Sequence, residues 1–186
     1  AIGGVVYSSC TVEAPGVIRV RNKVSKVILG EPDGSASPRI AALAAPLRAG
    51  GIEVVATTEI RAALWSKLLG NLSSGPLAVL AQATPADIYR EPACIEATRA
   101  IMAEGVAVAA ALGIPMKQNF EKRFSGLREM VHRPSIQQDL QLGRPMEIAG
   151  IFDSALELAR LTGVATPMLD LMVALARLRA REAGLY

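Results

Sequence analysis

The chain has 186 residues, 51% of them hydrophobic and 4% aromatic, with 20 basic residues against 17 acidic ones and a formal net charge of +3. That is enough apolar material to bury a core, either in one domain or in one domain with part of another. The charges are interspersed rather than clustered, which excludes a nucleic-acid reader, and the longest uncharged run (68 to 86) holds Asn, Gln, Ser, Gly and Pro, which excludes a membrane span.

The chain opens on "AIGGVVYSS", a strand-like run with no Met and no capping signal, and reads as a piece of a longer protein. Residues 1 to 56 look like the end of an α/β layer. "GGVVYSS" and "GVIRVRNKVSKVILGE" are rich in β-branched residues, with a turn expected at Asn22 and Lys23. "SASPRIAALAAPLRAGG" predicts a helix capped by Ser37, opened by Pro38 and stopped by Gly50, with Pro46 kinking or shortening it. "IEVVAT" predicts a strand. From residue 57 the period changes from 2 to 3.6, and this marks the expected boundary between two domains, 1–56 and 57–186.

Helices follow at 58 to 73, through "PLAVLAQ", and at a turn opened by Thr84 and Pro85. A long one runs from Pro92 to Leu112 and is closed by Gly113 and Pro115. Others are expected near 118 to 131, 134 to 142, 146 to 162 and 167 to 183. Along the long helix, Ala97, Ala100, Ala103, Ala107, Ala110 and Ala111 predict either a central helix closely packed by neighbours or a dimer seam. "ARLRARE" near the end reads as a solvated last turn.

Cys10 and Cys94 make neither a disulfide framework nor a metal site, and the one histidine, His132, lacks a second ligand, so no metal is expected. A reducing cytoplasm is the expected location. Arg144, between Gly143 and Pro145, reads as a solvated loop arginine.

"EIRAALWSKLLGN" puts Lys67 and Asn71 in a strongly apolar helical segment. At ~100° per residue, Leu64, Leu68, Leu72, Trp65 and Leu69 form one apolar arc, with Lys67 and Asn71 together beyond its Leu64 edge. The plain reading is a snorkelling lysine beside a helix-ending asparagine, with Gly70 and Gly75 helping to stop the helix. The functional reading is a cleft edge where an ammonium and a carboxamide bind an oxyacid.

A second segment, "HRPSIQQDLQLGRPMEI", spans 132 to 148. In plain terms Ser135 caps a short helix, Asp139 offsets its dipole and Glu147 sits in the first turn of the next helix. In functional terms Ser135 and Glu147 project into a common groove.

"LWSKLLGN" with "RPSIQQDLQLGRPMEI" and "GVATP", preceded by "PGVIRV", "ILGEPDG" and "AGGIEVVATTEIR", resembles the C-terminal half of the ketopantoate reductase family over essentially the whole chain. The resemblance implies a mainly α fold, a helical bundle of the 6-phosphogluconate dehydrogenase C-terminal-like type, after a small β/α remnant of a Rossmann domain. It implies reduction of a small 2-oxo acid, ketopantoate, to pantoate with NADPH on the way to pantothenate and coenzyme A. It also implies a helical domain that binds substrate and can dimerise, with no nucleic-acid or membrane partner. The family's catalytic lysine falls on Lys67, which would polarise the ketone and protonate its oxygen. Its acid falls on Glu147, which binds the substrate hydroxyl and orients the lysine. Asn71 and Ser135 match substrate-binding positions, and Asp139 matches a residue that supports the site.

Two departures stand out. Gly75 occupies a place where the family often has a second asparagine, and Ser73 or Ser74 could compensate. No G-x-G-x-x-G phosphate turn is present, so no cofactor-binding residue is assigned and this stretch alone should not turn over. A related 2-oxo or 2-hydroxy acid dehydrogenase and a non-catalytic helical interaction module stay open as alternatives. The enzyme reading needs Lys67, Glu147 and Ser135 to line one cleft, whereas an interaction module would permit them to be dispersed.

Overall fold

In a computed structural model describing residues 1–21, 25–114, 116 and 120–186, strands come first and helices follow. The chain folds as two units, Ala1–Lys67 and Leu68–Tyr186. Asn22, Lys23 and Pro115 lie outside the described residues, and with them the expected turn and part of the helix stop.

In the first unit, β1 (Gly3–Tyr7), β4 (Lys26–Gly30) and β5 (Glu53–Ala56) form a sheet in the order β1-β4-β5. The β1–β4 pair is antiparallel, with Gly3 opposite Gly30, and the β4–β5 pair is parallel, with Lys26 opposite Glu53. A parallel pair needs a crossover, and α1 (Pro38–Ala49) supplies it. "CTVEA" also forms a strand, β2 (Cys10–Ala14), paired with β3 (Val17–Val20) around Gly16 at φ +79°. The left-handed backbone there suits glycine.

Pro46 does not shorten α1, which runs on to Ala49. Gly50 closes it at φ −79°, and Gly51 at φ +84° makes the left-handed turn. Ser37 holds the N-cap position without a capping bond; its hydroxyl donates to the Glu31 carboxylate instead.

The helices are α2 (Ile60–Ala81), α3 (Pro85–Ile88), α4 (Pro92–Ala111), α5 (Phe120–Glu129) and α6 (Ser135–Gln141). A five-residue π turn, Ala149–Asp153, then leads into α7 (Ser154–Thr162) and α8 (Pro167–Glu182). The mainly α fold read from the sequence is what the chain adopts.

Three expectations change. Ile60–Ala81 is one helix, and neither Gly70, Asn71, Gly75 nor Pro76 ends it. Pro76 removes one backbone rung, but every residue from Leu72 to Val79 is buried, and tertiary packing holds the helix through the gap. Gln82, at φ +52°, follows its end. Leu64 is 42% exposed and so leaves the apolar arc, while Trp65, Leu69 and Leu72 are buried. On α4 the buried face is Thr98, Ile101, Met102, Gly105, Val108 and Ala109, while Ala103, Ala107, Ala110 and Ala111 are exposed. Ala97 and Ala100 are half-buried, so the closely packed reading of the stripe fails at the other four alanines, where the dimer-seam reading stays open.

The core of the helical unit is continuous hydrocarbon from α2 to α8, with Phe124, Phe152, Ile101 and Val173 fully buried. The Glu104 carboxylate on α4 accepts the Met168 and Leu169 N–H groups at 2.9 and 2.8 Å, satisfying the open end of α8.

Candidate functional site

Within the first unit, the exposed Lys67 ammonium donates to the Val6 carbonyl at 2.9 Å and lies 4.9 Å from the centre of the Tyr7 ring. Both contacts suit a cation held at a surface rather than buried in hydrocarbon. An ammonium has three N–H donors, so this carbonyl leaves two for a ligand. A separate cavity of about 250 Å³ in this unit is lined by Ser37, Ile40, Ala44, Arg48 and Thr57 among others, and none of the predicted site residues lines it.

The second unit carries the other four. Asn71 is exposed on α2, four residues after Lys67 along the helix. Ser135 is exposed as the first residue of α6 rather than its cap: Pro134 holds the cap position and gives no side-chain bond. Asp139 is half-buried on α6. Glu147 is exposed just ahead of the π turn rather than in the first turn of a helix, and its carbonyl accepts the Ile151 N–H at 3.1 Å.

Gly75 shows what draws these segments together. A Cβ placed on it would lie 3.0 Å from Phe152 Cζ and 3.6 Å from Ile136 Cγ2. Phe152 belongs to the π turn five residues after Glu147, and Ile136 follows Ser135 on α6. The stretches bearing Asn71, Ser135 and Glu147 thus pack against one another around Gly75. Gln137, fully buried, donates its amide to the Ala83 carbonyl at 3.0 Å, and Gln141 donates to Gln82 Oε1 at 3.1 Å. The two tie α6 to the chain just beyond α2. Two of the glutamines around Asp139 are therefore structural.

Ser73 and Ser74 do not compensate for the missing amide at position 75. Both are buried, and both hydroxyls donate to the Gly70 carbonyl, at 3.1 and 2.9 Å. Arg123 Nη2 donates to the same oxygen at 2.8 Å, and a Cβ on Gly70 would stand 3.1 Å from that nitrogen, so glycine makes room for the guanidinium.

Sequence reasoning missed the clamp behind the π turn. The Asp153 carboxylate accepts from Arg177 Nε at 2.7 Å and from the Tyr186 hydroxyl, tying the turn to α8 and the last residue. The Asp153 carboxylate and burial both push the Tyr186 hydroxyl up from its ordinary value of 10.0. Periodicity gives no signal for a π turn, whose single inserted residue shifts the register only locally.

Residues 59–180 match the family described as the ketopantoate reductase PanE/ApbA C terminal. The chain belongs to this family. The 2-dehydropantoate 2-reductase of Mesorhizobium japonicum is 37% identical over 187 residues, covering 100% of this chain and 57% of the relative. The crystal structure of 2-dehydropantoate 2-reductase from Methylococcus capsulatus matches with a TM-score of 0.88 at 34% identity, over 98% of this chain and 59% of that one. A D-mandelate dehydrogenase solved with NADH and anilino(oxo)acetate shares the fold, with a TM-score of 0.86 at 20% identity over 100% of this chain and 61% of that one. The chain spans less than two thirds of the length of each.

His132 and Arg144 are exposed, and no group of three or more potential metal-ligating side chains occurs among the described residues. No helix among the described residues is long and apolar enough to cross a membrane.

Proposed function

We propose that this chain is the catalytic-residue-bearing part of a reductase that converts a 2-oxo acid, 2-dehydropantoate in its relatives' names, to the 2-hydroxy acid at the expense of NADPH. Residues 1–56 would close the dinucleotide-binding domain, and residues 57–186 would form the substrate domain. The family match over 59–180, which contains Lys67, Asn71, Ser135, Asp139 and Glu147 together, carries this reading. No glycine-rich phosphate turn occurs in the 186 residues, so none of them is assigned to the cofactor. That cofactor supplies the hydride.

Lys67 has the central role. Its ammonium hydrogen-bonds to the ketone oxygen and draws charge onto it as the C–O π bond breaks. It then gives the oxygen a proton, leaving a neutral amine that solvent reprotonates. The Val6 carbonyl and the Tyr7 ring support a cation at this position. Asn71 and Ser135 hold the acid by amide and hydroxyl hydrogen bonds, Glu147 accepts from the product hydroxyl and orients the lysine, and Asp139 supports α6. The exposed Ala103, Ala107 and Ala110 of α4 support a homodimer through the helical unit, and the absence of a spanning helix among the described residues is compatible with work in the cytoplasm.

The test is oxidation of NADPH by the full-length protein with a panel of 2-oxo acids. Lys67→Ala should lower kcat by about 10²-fold or more while the protein stays folded. Near-normal turnover would remove Lys67 from the role of acid.

A further inference from the structure

We infer that Tyr7 is a positioning residue: its ring, on the last residue of β1, holds the Lys67 ammonium where the proposed acid must stand. This rests on the reading of Lys67 given above and adds to it the side chain that aims the lysine.

The placement starts from two glycines. Gly3 and Gly30 face each other across β1 and β4. A Cβ on Gly3 would overlap Ile60 Cγ1, and one on Gly30 would overlap the Thr57 carbonyl oxygen and stand 2.8 Å from Ile60 Cβ. Bare backbone at both positions lets Ile60, the first residue of α2, press onto the sheet until it is 1% exposed. Lys67 lies two turns further along the same face of α2, about 10.5 Å up the helix and rotated by about 20°. Val6 lies about 10 Å beyond Gly3 along the strand. The two distances match, as they must if α2 runs beside β1 and carries the lysine to the end of the strand. There the ammonium donates to the Val6 carbonyl at 2.9 Å, with the Tyr7 ring centre 4.9 Å away.

The ring is not taken by its neighbour across the sheet. Lys26 is paired with Tyr7 in the β1–β4 register, but its ammonium meets Glu53 at 3.2 Å instead. Val6 supplies a backbone oxygen, which any residue at that position would keep, so the hold that depends on the sequence is Tyr7. A lysine stem has many rotamers, and an exposed ammonium left unheld samples them. Carbonyl and ring together select the poses that leave two N–H donors for a ketone oxygen. A proton donor acts through such pre-positioning, so losing the ring should cost turnover rather than substrate affinity.

The experiment measures kcat and KM of the full-length protein with NADPH and 2-dehydropantoate, or with the best-used 2-oxo acid of the panel. Tyr7→Leu should lower kcat about 5-fold and leave KM within about 2-fold, whereas Tyr7→Phe, which keeps the ring, should restore the parent rate. In a Lys67→Ala background, Tyr7→Leu should change nothing further, because the group it aims is gone. Tyr7 is 41% exposed, so Tm should stay within about 2 °C in each variant. Four results would overturn the inference while leaving the reductase reading intact: a parent kcat in Tyr7→Leu, a change confined to KM, an equal loss in Tyr7→Phe, or a loss that persists without Lys67. Turnover of no 2-oxo acid, or near-normal turnover of Lys67→Ala, would reject that reading and the inference with it.

Discussion

In Ala1–Lys67 the buried apolar side chains among the described residues are Val5, Ile40, Ala44, Val54, Ile60 and Trp65, while Val12, Val17, Ile18 and Val20 of the β2–β3 hairpin are more than half or about half exposed. Charged groups bind much of the rest. Arg39 donates to Glu31 at 2.7 Å, Lys26 meets Glu53 at 3.2 Å across β4 and β5, and Arg48 donates to the Val54 carbonyl at 2.8 Å. In Leu68–Tyr186 the balance reverses, with one apolar cluster running from Leu72 to Ala180. The first unit should therefore respond to pH, and the second to the loss of a few carbon atoms.

The largest expected effect is in the helical unit. Phe124 is fully buried, 6.1 Å from the Tyr89 ring centre and under the Arg99 guanidinium. Phe124→Ala should remove about 3–5 kcal/mol of stability, seen as a lower urea midpoint for the full chain. A loss under ~1 kcal/mol would mean that the core is looser than its burial indicates.

A smaller effect is expected where a charge serves the helical unit. Glu104→Gln keeps the shape but weakens the acceptor for the Met168 and Leu169 N–H groups, so stability should fall by about 1 kcal/mol. The thermal midpoint would report this, and Glu104→Ala should lower it further.

The smallest effect, and the one that separates the two units, concerns Glu31. Its hydrogen bonds from Arg39 and Ser37 hold its pKa down to about 2 from the ordinary 4.5. A depressed carboxylate stabilises the folded chain above its unfolded pKa, and that contribution fades as pH falls from about 4.5 to about 2. Glu31→Gln should flatten the acid limb of the stability profile in this window without moving the neutral-pH signal of the helical core. An unchanged acid limb would show that the Glu31–Arg39 pair contributes nothing measurable.

Local chemistry made much of the chain legible in advance. Thr84 accepts the Asp87 N–H at 3.2 Å, as its place before Pro85 predicts. Gly113 and Gly163 end their helices at φ +72° and +69°, and Pro92 and Pro167 begin theirs. The family, too, was readable from two short motifs about seventy residues apart. Features set by distant neighbours were not. Gly70 and Gly75 read as a stop near residue 73, yet α2 runs on through Pro76 because the flanking residues are buried. The alanines of α4 read either as a packed stripe or as a dimer seam, and the first reading fails because the packed side is the one bearing Ile101, Met102 and Val108. Ser135 reads as a cap and is the first helical residue instead.

Position 75 marks where the two kinds of information part. From the order of residues alone it is only a glycine where an amide would fit the family. Capping groups, turn glycines and helical periods act over four residues or fewer, so composition and spacing were sufficient to determine most of the helices and the motif, but not the run of α2 through Pro76 or the π turn. Whether the place beside Gly75 is open or filled depends on Phe152, more than seventy residues away, and only the packing of α2, α6 and the π turn could decide it.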